Sequence, residues 1–474
     1  MSLLVPLSLA ALLLLPGLLV VRAPWTTVPA LSLAFWALTA WWPPLAGLGR
    51  GRFLSAALLA SGLLALLRLL PKHEVPPPPG WTPPPTAPPP ARPGLPPPRL
   101  ASSASLLVLV AALALLAPAP LWHHAPGPRL AFQTTTARLL VWRGAVPATA
   151  EPLVPLAAVG AHAPALATLA ADASHLSGLD PAVTVLLVAV AAAGLLLAGL
   201  FALHATWAPP RAAALGALVG LAAAPWPGAL VPWGEGEALL ALGLALPAAA
   251  LLLGHTSRAS AVAAGMLLAA SALAQPVLAA IVLAATLPVG RTVAANLASR
   301  EGRSRLALSG TLALFLAAPG LWPLVRSLSL REAGAVLLSV QPRELPSAAV
   351  GLVFAAFAPL LFLRPPGPRS RAGRLVTVAL ATVGTVLLIA RVHGWIASGQ
   401  LPPPVRAALL GVAAETDPLQ VVCAPEGARD WVPALAGRAA GEPGPWIPPA
   451  YADEWLRRSR RPCDVRLDTF LPGP

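Results

Sequence analysis

Few residues in this chain could do chemistry, and they lie between long apolar stretches. Glu151, Glu235 and Glu237 carry carboxylates that could accept a proton in catalysis. Arg326 and Arg331 follow another apolar stretch, where a guanidinium could bind a lipid phosphate. Each residue also has a simpler interpretation. Glu151 fits a solvated loop charge, Glu235 and Glu237 would complement the dipole of a helix that begins there, and the arginines would extend to lipid headgroups.

The histidines do not predict a metal site. His123 and His124 are adjacent, and His162 and His175 follow, but no acidic or cysteine residue stands at ligand spacing from them. The sequence also has no glycine-rich loop of the phosphate-binding type and no Ser-His-Asp arrangement. We therefore predict no cofactor and no resident metal.

The two cysteines, Cys423 and Cys463, both lie in the polar C-terminal region, and each adjoins a predicted strand. Two cysteines confined to one small domain predict a disulfide formed in an oxidising compartment. The alternative is a pair of unbonded small residues in a core. We expect the two strands to lie side by side, and a Cα–Cα distance well beyond about 7 Å would exclude the bond.

The elements that must position these residues are apolar helices. The chain is 57% hydrophobic and 11% charged, and an α-helix needs about 20 apolar residues to cross ~30 Å of hydrocarbon. We therefore predict an all-α polytopic membrane protein of about 12 transmembrane helices, with a small α/β extracytoplasmic domain at its C-terminus. The predicted spans are residues 3–21, 28–48, 53–70, 100–121, 183–203, 212–224, 238–253, 259–274, 277–289, 306–325, 348–363 and 375–396.

The net charge of +14 does not indicate a nucleic-acid-binding protein. Lys72 is the single lysine among 32 basic residues, and the arginines are scattered through short loops between apolar stretches. No basic amphipathic stripe interleaved with aromatic residues is present. The charge fits membrane topology better, because loops on the cytoplasmic side of a membrane are rich in arginine and lysine.

Arginine distribution predicts the orientation of the spans. Two loops are rich in arginine. The first contains Arg291, Arg300, Arg303 and Arg305, and the second contains Arg364, Arg369, Arg371 and Arg374. Placing both loops in the cytoplasm leaves residues 122–181, the arginine-free residues 225–237 and the C-terminus outside. This topology requires a hairpin at Gln275-Pro276. Arg50 and Arg52 then lie outside, against the rule.

Four regions follow from these patterns: residues 1–70 as a three-helix membrane unit, 71–100 as a linker, 101–396 as the membrane core and 397–474 as the small α/β domain. Prolines fill 15 of the 30 positions in the linker, which predicts an extended spacer.

The two extramembrane segments have their own predicted elements. In the outer loop, residues 131–143 predict an interfacial helix ended by Gly144, and residues 162–179 predict a second helix ending near Gly178. In the tail, the predicted elements are strands at residues 419–423 and 464–468, and a short helix at residues 428–435 closed by Gly437.

Several local patterns between residues 100 and 474 resemble the bacterial glycosyltransferase-C superfamily, and within it the membrane proteins with extra N-terminal spans. The patterns are ARLLVWRGAVP at 137–147, WGEGE at 233–237, AAG through QP at 263–276 and WVPALAGR at 431–438. The resemblance implies transfer of a sugar from a polyprenyl-phosphate carrier to an envelope acceptor, at the outer face of the bacterial cytoplasmic membrane.

The resemblance also implies a site. The family has an acidic residue shortly before its first outer helix, which activates the acceptor hydroxyl. Here Arg129 or Gln133 occupies that neighbourhood, and neither can take a proton at neutral pH. One of the three candidate glutamates must replace it, or the chain is a relative that has lost the activity. We expect one of them to share a cavity with Arg326 or Arg331, which would bind the donor phosphate.

Two other function classes stay open. A multi-pass transporter or flippase would show internal repeats and broken helices, and Gln275-Pro276 is one possible break without a matching second copy. A structural component of an envelope-assembly complex would explain the low density of polar residues inside the spans.

Overall fold

The computed structural model describes most of the predicted helical regions of the chain. The described residues are 4–19, 25–42, 49–69, 103–117, 119–144, 151, 153–154, 165–223, 235–254, 257–276, 279–280, 282, 299–327, 355, 357–362, 371–441, 445 and 462–471. The predicted linker at residues 71–100 lies outside them.

Helices dominate the described residues, and a small sheet lies near the C-terminus. The helices are α1 (Leu4–Leu18), α2 (Val28–Thr39), α3 (Arg50–Leu69), α4 (Ser103–Ala114), α5 (Gly127–Arg143), α6 (Ala165–Ser177), α7 (Pro181–His204), α8 (Pro210–Ala223), α9 (Glu235–Gly254), α10 (Arg258–Ala274), α11 (Arg300–Ser327), α12 (Arg371–Ser398) and α13 (Pro403–Glu415). The strands are β1 (Val421–Cys423), β2 (Ala439–Ala440) and β3 (Val465–Arg466).

Four helices among the described residues are long and apolar enough to cross a membrane. They are Pro181–His204, Gly236–Gly254, Arg300–Trp322 and Leu375–Ser398, and shorter apolar helices are α2, α4, α8 and α10. These findings confirm a mostly helical chain with helices of membrane-spanning length and a small sheet. The predicted total of 12 spans includes segments that lie largely outside the described residues, such as 277–289.

Burial separates central helices from peripheral ones. In α7 and α9, 78% and 89% of the most apolar window is buried, against 22% in both α11 and α12. The peripheral helices therefore present large apolar side chains outward; Leu314 and Leu375 are 74% and 69% exposed. An exposed apolar belt of this kind is rare on a water-soluble monomer and suits contact with lipid.

The central helices α9 and α10 are antiparallel, whereas α10 and α11 are parallel. The Ser271 hydroxyl donates to the Ala241 carbonyl (2.8 Å), which brings the end of α10 beside the first half of α9. The Ser309 hydroxyl donates to the Ala261 carbonyl (2.8 Å), which brings the first halves of α10 and α11 together. The parallel packing of α10 and α11 agrees with the predicted hairpin at Gln275-Pro276, which requires one further crossing of the bundle between these two helices, in a segment that the structure describes at only a few residues.

The bundle has two different ends. At one, here called the loop end, α5, α6 and the C-terminal domain lie over the start of α9 and the end of α12; the Gln400 amide donates to the His124 carbonyl there (2.8 Å). The opposite end, here called the arginine end, holds the first turns of α8, α10, α11 and α12, with Arg211, Arg258, Arg300 and Arg371. This relative placement agrees with the predicted topology, and the identity of the cytoplasmic end stays a prediction.

The N-terminal unit packs directly on the core. Helices α1 and α2 form an antiparallel hairpin in which the Gly17 amide donates to the Ser32 hydroxyl (2.8 Å). A Cβ at Gly17 would overlap the Val28 carbonyl oxygen, so only glycine fits this crossing. The Trp42 indole, just after α2, donates to the Leu316 carbonyl of α11 (3.2 Å).

The C-terminal domain holds a parallel three-stranded sheet in the order β2-β1-β3. The two predicted strands exist and pair, with Val422 opposite Val465, but β2 was not predicted. The helix predicted at residues 428–435 is confirmed in part: a turn leads into one π-helical turn, Val432–Ala436, which Gly437 ends as predicted, at φ 62°. Cys423 and Cys463 form a disulfide with a Cα–Cα distance of 5.7 Å, so the predicted pairing is confirmed.

Candidate functional site at the loop end

Helix α5 is largely buried by the rest of the protein, and its predicted place at a membrane interface stays a prediction. Its residues Gln133 to Thr136 are all at most 2% exposed. The three threonine hydroxyls donate to carbonyls four residues earlier, at distances of 2.8–3.1 Å. Because these hydroxyls bond within their own helix, a polar sequence can be buried without leaving hydrogen bonds unmade.

Gln133 is the polar residue of this stretch that reaches another helix. Its amide Nε2 donates to Oε1 of Glu237, in the first turn of α9. Glu237 is 6% exposed and Gln133 2%. The Gln133 carbonyl oxygen Oε1 is buried and has no hydrogen-bond partner among the described residues. Gln133 lies in the second turn of α5, so the contact brings a carboxylate of α9 against this helix.

Gly236 explains how α9 approaches α5 so closely. A Cβ at this position would lie 2.8 Å from the Leu130 side chain of α5 and 3.0 Å from that of Leu166 of α6. The first turn of α9 therefore packs closely against both α5 and α6. Glu237 also lies at a helix N-terminus, where the helix dipole favours a negative charge.

A second buried pair joins the N-terminal unit to α6. The Arg50 guanidinium donates from Nε and Nη2 to the two carboxylate oxygens of Asp172, both at 2.7 Å, and from Nη2 to the Thr168 carbonyl (3.2 Å). Burial raises the pKa of the Asp172 carboxyl, and the charge and hydrogen bonds of Arg50 oppose that shift. The charge of Arg50, which the predicted orientation places against the positive-inside rule, is therefore matched by a carboxylate inside the protein.

Arg138 links three elements at the surface of the loop end. Its guanidinium donates to the Asp180 carboxylate (2.9 Å) and to the Ala434 carbonyl of the π-helical turn (2.9 and 3.1 Å). Asp180 in turn caps α7 by accepting from the Ala182 amide (2.8 Å). Arg138 therefore joins α5 and the start of α7 to the C-terminal domain at the loop end.

His124 sits at the same junction as a buried neutral imidazole. Its Nε2 accepts from the Leu401 amide (3.2 Å), so Nδ1 must carry the proton that it shares with the Ala125 carbonyl (2.9 Å). Its ring packs on Trp431, with centroids 4.1 Å apart. Burial lowers the pKa of His124, helped by the nearby charges of Arg406 and His123. His124 is therefore a structural residue, not a metal ligand.

The other predicted site residues are placed only in part. Glu151 is half-buried in a turn, and its backbone carbonyl accepts from the Arg143 guanidinium. Glu235 begins α9 and Arg326 lies near the end of α11, but their side chains are outside the described structure, as is the whole of Arg331. The expected cavity shared by a glutamate and one of these arginines therefore stays a prediction. Within the described ranges, no group of three His, Cys, Asp or Glu residues is arranged to hold a metal.

Sequence reasoning named Glu237 as a candidate and discussed Gln133, but it missed their contact. It also missed Arg50–Asp172 and Arg138–Asp180, although the unexplained arginine outside the membrane was a signal that an acidic partner should exist. No protein-family model matches the chain, and a comparison with curated proteins finds no match either.

Proposed function

We propose that this chain is a glycosyltransferase-like protein of the bacterial cytoplasmic membrane that uses a polyprenyl-phosphate-linked sugar at its loop end. The observation that carries the proposal is the buried contact between Gln133 and Glu237. It supplies a buried carboxylate beside the first outer helix, whereas the resembled superfamily has its acidic residue shortly before that helix. The outward orientation of the loop end rests on the arginine distribution.

The proposed chemistry assigns each group a role. The Glu237 carboxylate takes the proton of an acceptor hydroxyl, whose oxygen attacks the anomeric carbon of the donor sugar. The bond between that carbon and the phosphate oxygen breaks, and polyprenyl phosphate leaves. Gln133 orients the carboxylate through Nε2, and its carbonyl oxygen, unpartnered among the described residues, can accept a hydrogen bond from the acceptor.

The test is transfer from radiolabelled polyprenyl-phosphate hexoses and pentoses to an envelope extract, by the purified protein in lipid. We expect E237Q to lower the transfer rate by about 10²–10⁴-fold, the usual contribution of a general base. Glutamine keeps the size and the hydrogen bond to Gln133, so folding should be preserved. E301Q is the matched control, since Glu301 is exposed in the first turn of α11 at the arginine end.

A second function is favoured by a specific observation. Asp172, Asp180 and Glu237 each have a partner within the protein, so all three carboxylates hold elements of the loop end together. A structural component of an envelope-assembly complex would need only a rigid loop end of this kind, without a catalytic residue. Absence of transfer by the wild-type protein with every donor, together with co-purification of envelope proteins through the loop end, would favour this function. Unchanged transfer by E237Q would mean that the base is elsewhere.

A further inference from the structure

The arginine end carries a concentrated positive surface that the proposed function does not use. Arg258 begins α10, while Arg300 and Arg303 lie in the first turn of α11, and all three side chains are exposed. These three residues are here called the arginine face. Glu301 is the acidic residue within the same turn of α11.

The parallel packing of α10 and α11 brings these charges to one surface. The Ser309 hydroxyl donates to the Ala261 carbonyl (2.8 Å), so the two helices are in register at that level. Arg258, three residues before Ala261, therefore lies level with position 306 of α11, and Arg300 lies roughly 9 Å further out at 1.5 Å per residue. Antiparallel helices would have placed these charges at opposite ends.

The backbone at this surface is already satisfied in part by its own side chains. The Ser257 hydroxyl accepts from the Ser260 amide (3.1 Å) and the Ser299 hydroxyl accepts from the Gly302 amide (3.0 Å). Both helix starts are thus capped. The attraction for an anion at this surface comes mainly from the guanidinium groups.

An apolar surface continues directly from the arginine face. Val262 on α10 and Leu308 on α11 are 40% and 39% exposed, and further along α11 Leu314 and Phe315 are 74% and 59% exposed. From Arg300 to Leu314 is about 21 Å along the helix. A ligand that matches both surfaces must carry a negative head and a long apolar chain.

We infer that the arginine face is a binding surface for the headgroups of anionic phospholipids, whose acyl chains lie along α10 and α11. A free phosphate would use the charges without the apolar surface. A zwitterionic lipid would use the apolar surface but brings no net negative charge to match the arginines. The inference does not depend on glycosyl transfer, so either can fail without the other.

The experiment compares spin-labelled phosphatidylglycerol with spin-labelled phosphatidylcholine around the full-length protein in bilayers, and measures their relative association constant. Each arginine near a lipid surface contributes about a fivefold preference for an anionic lipid. The relative association constant for phosphatidylglycerol over phosphatidylcholine should therefore be at least about tenfold lower for R258Q/R300Q/R303Q than for the wild type. This figure allows for the opposing charge of Glu301. Raising the salt to ~1 M should weaken the wild-type preference through screening.

The control variant R52Q/R143Q/R466Q removes three exposed arginines from the loop end and should leave most of the preference intact. E301Q removes the opposing charge and should raise the preference about fivefold, which tests the surface without deleting an arginine. A selective loss in the first variant with a gain in E301Q supports the inference. An equal loss in both arginine variants, no loss in the first, or no gain in E301Q would overturn it.

Discussion

The buried pair of Arg50 and Asp172 predicts an asymmetric response to mutation. The two side chains are only 10% and 4% exposed and share two hydrogen bonds of 2.7 Å. Removal of one partner from a buried pair costs about 3–5 kcal/mol, because the other charge is left uncompensated. The two deletions should nevertheless differ, since an arginine cannot lose its proton in a protein while a carboxylate can gain one.

We therefore expect D172L to lose roughly 3–5 kcal/mol of stability, with Arg50 left charged beside the Thr168 carbonyl. R50L should lose less, because Asp172 can become neutral. Burial already raises the pKa of Asp172, and loss of Arg50 removes the groups that oppose the rise. A carboxyl whose pKa is raised in the folded state binds its proton more tightly there than in the unfolded chain. Its contribution to stability is therefore fully present when the pH is below the ordinary pKa of 3.8, and it is lost as the pH rises through the folded-state pKa. R50L should therefore become more stable, relative to wild type, as pH falls.

Unfolding free energies from denaturant titration in mixed micelles, repeated at several pH values, would measure these differences. The double variant R50L/D172L should recover most of the loss, as apolar replacements of buried pairs often do. E426A is the control, because its pairing with Arg429 spans 3.9 Å and Glu426 is 91% exposed, so almost no change is expected. A loss below about 1 kcal/mol in D172L, or equal losses in both single variants at all pH values, would refute the reasoning.

Three further predictions concern the junction and the topology. Because the pKa of His124 is lowered on folding, stability should fall as pH drops below the ordinary value of 6.5. H124Q should flatten this dependence in thermal unfolding scans, and an unchanged dependence would contradict the assignment. R138A should destabilise the attachment of the C-terminal domain by about 1.5–3 kcal/mol, which should appear as faster proteolysis of that domain. R143A is the control, and equal rates of proteolysis in the two variants would contradict the assignment. In intact cells an impermeant maleimide should label T469C but not S304C, and labelling of S304C from outside would reverse the proposed orientation.

Local signals in the sequence were sufficient to predict where several helices end. Gly144 and Gly178 end α5 and α6 with φ of 65° and 70°, as their positions after apolar stretches predicted. The start of α9 at Glu235 and the disulfide in the small domain follow from equally local features. These predictions succeeded because the backbone geometry or the bond depends on one or two residue types.

Contacts across long separations could not be predicted in the same way. Gln133 and Glu237 are 104 residues apart, and Arg50 and Asp172 are 122 apart. Periodicity describes the face of one helix and contains no information on which other helix covers it. The burial of α5 was missed because threonine hydroxyls that bond within their own helix look hydrophilic in sequence. Strand β2, with two alanines, has no strand signal at all.

The two residues of the Arg50–Asp172 pair are synthesised at different times. Arg50 leaves the ribosome 122 residues before Asp172, an interval of roughly 6–24 s at 5–20 residues per second. During that interval Asp172 is not available to neutralise the arginine, and on the proposed orientation its charge favours the opposite insertion of α3. The first three helices should therefore reach a stable orientation only after α6 is made, and a chain stopped before residue 165 should insert with mixed topology.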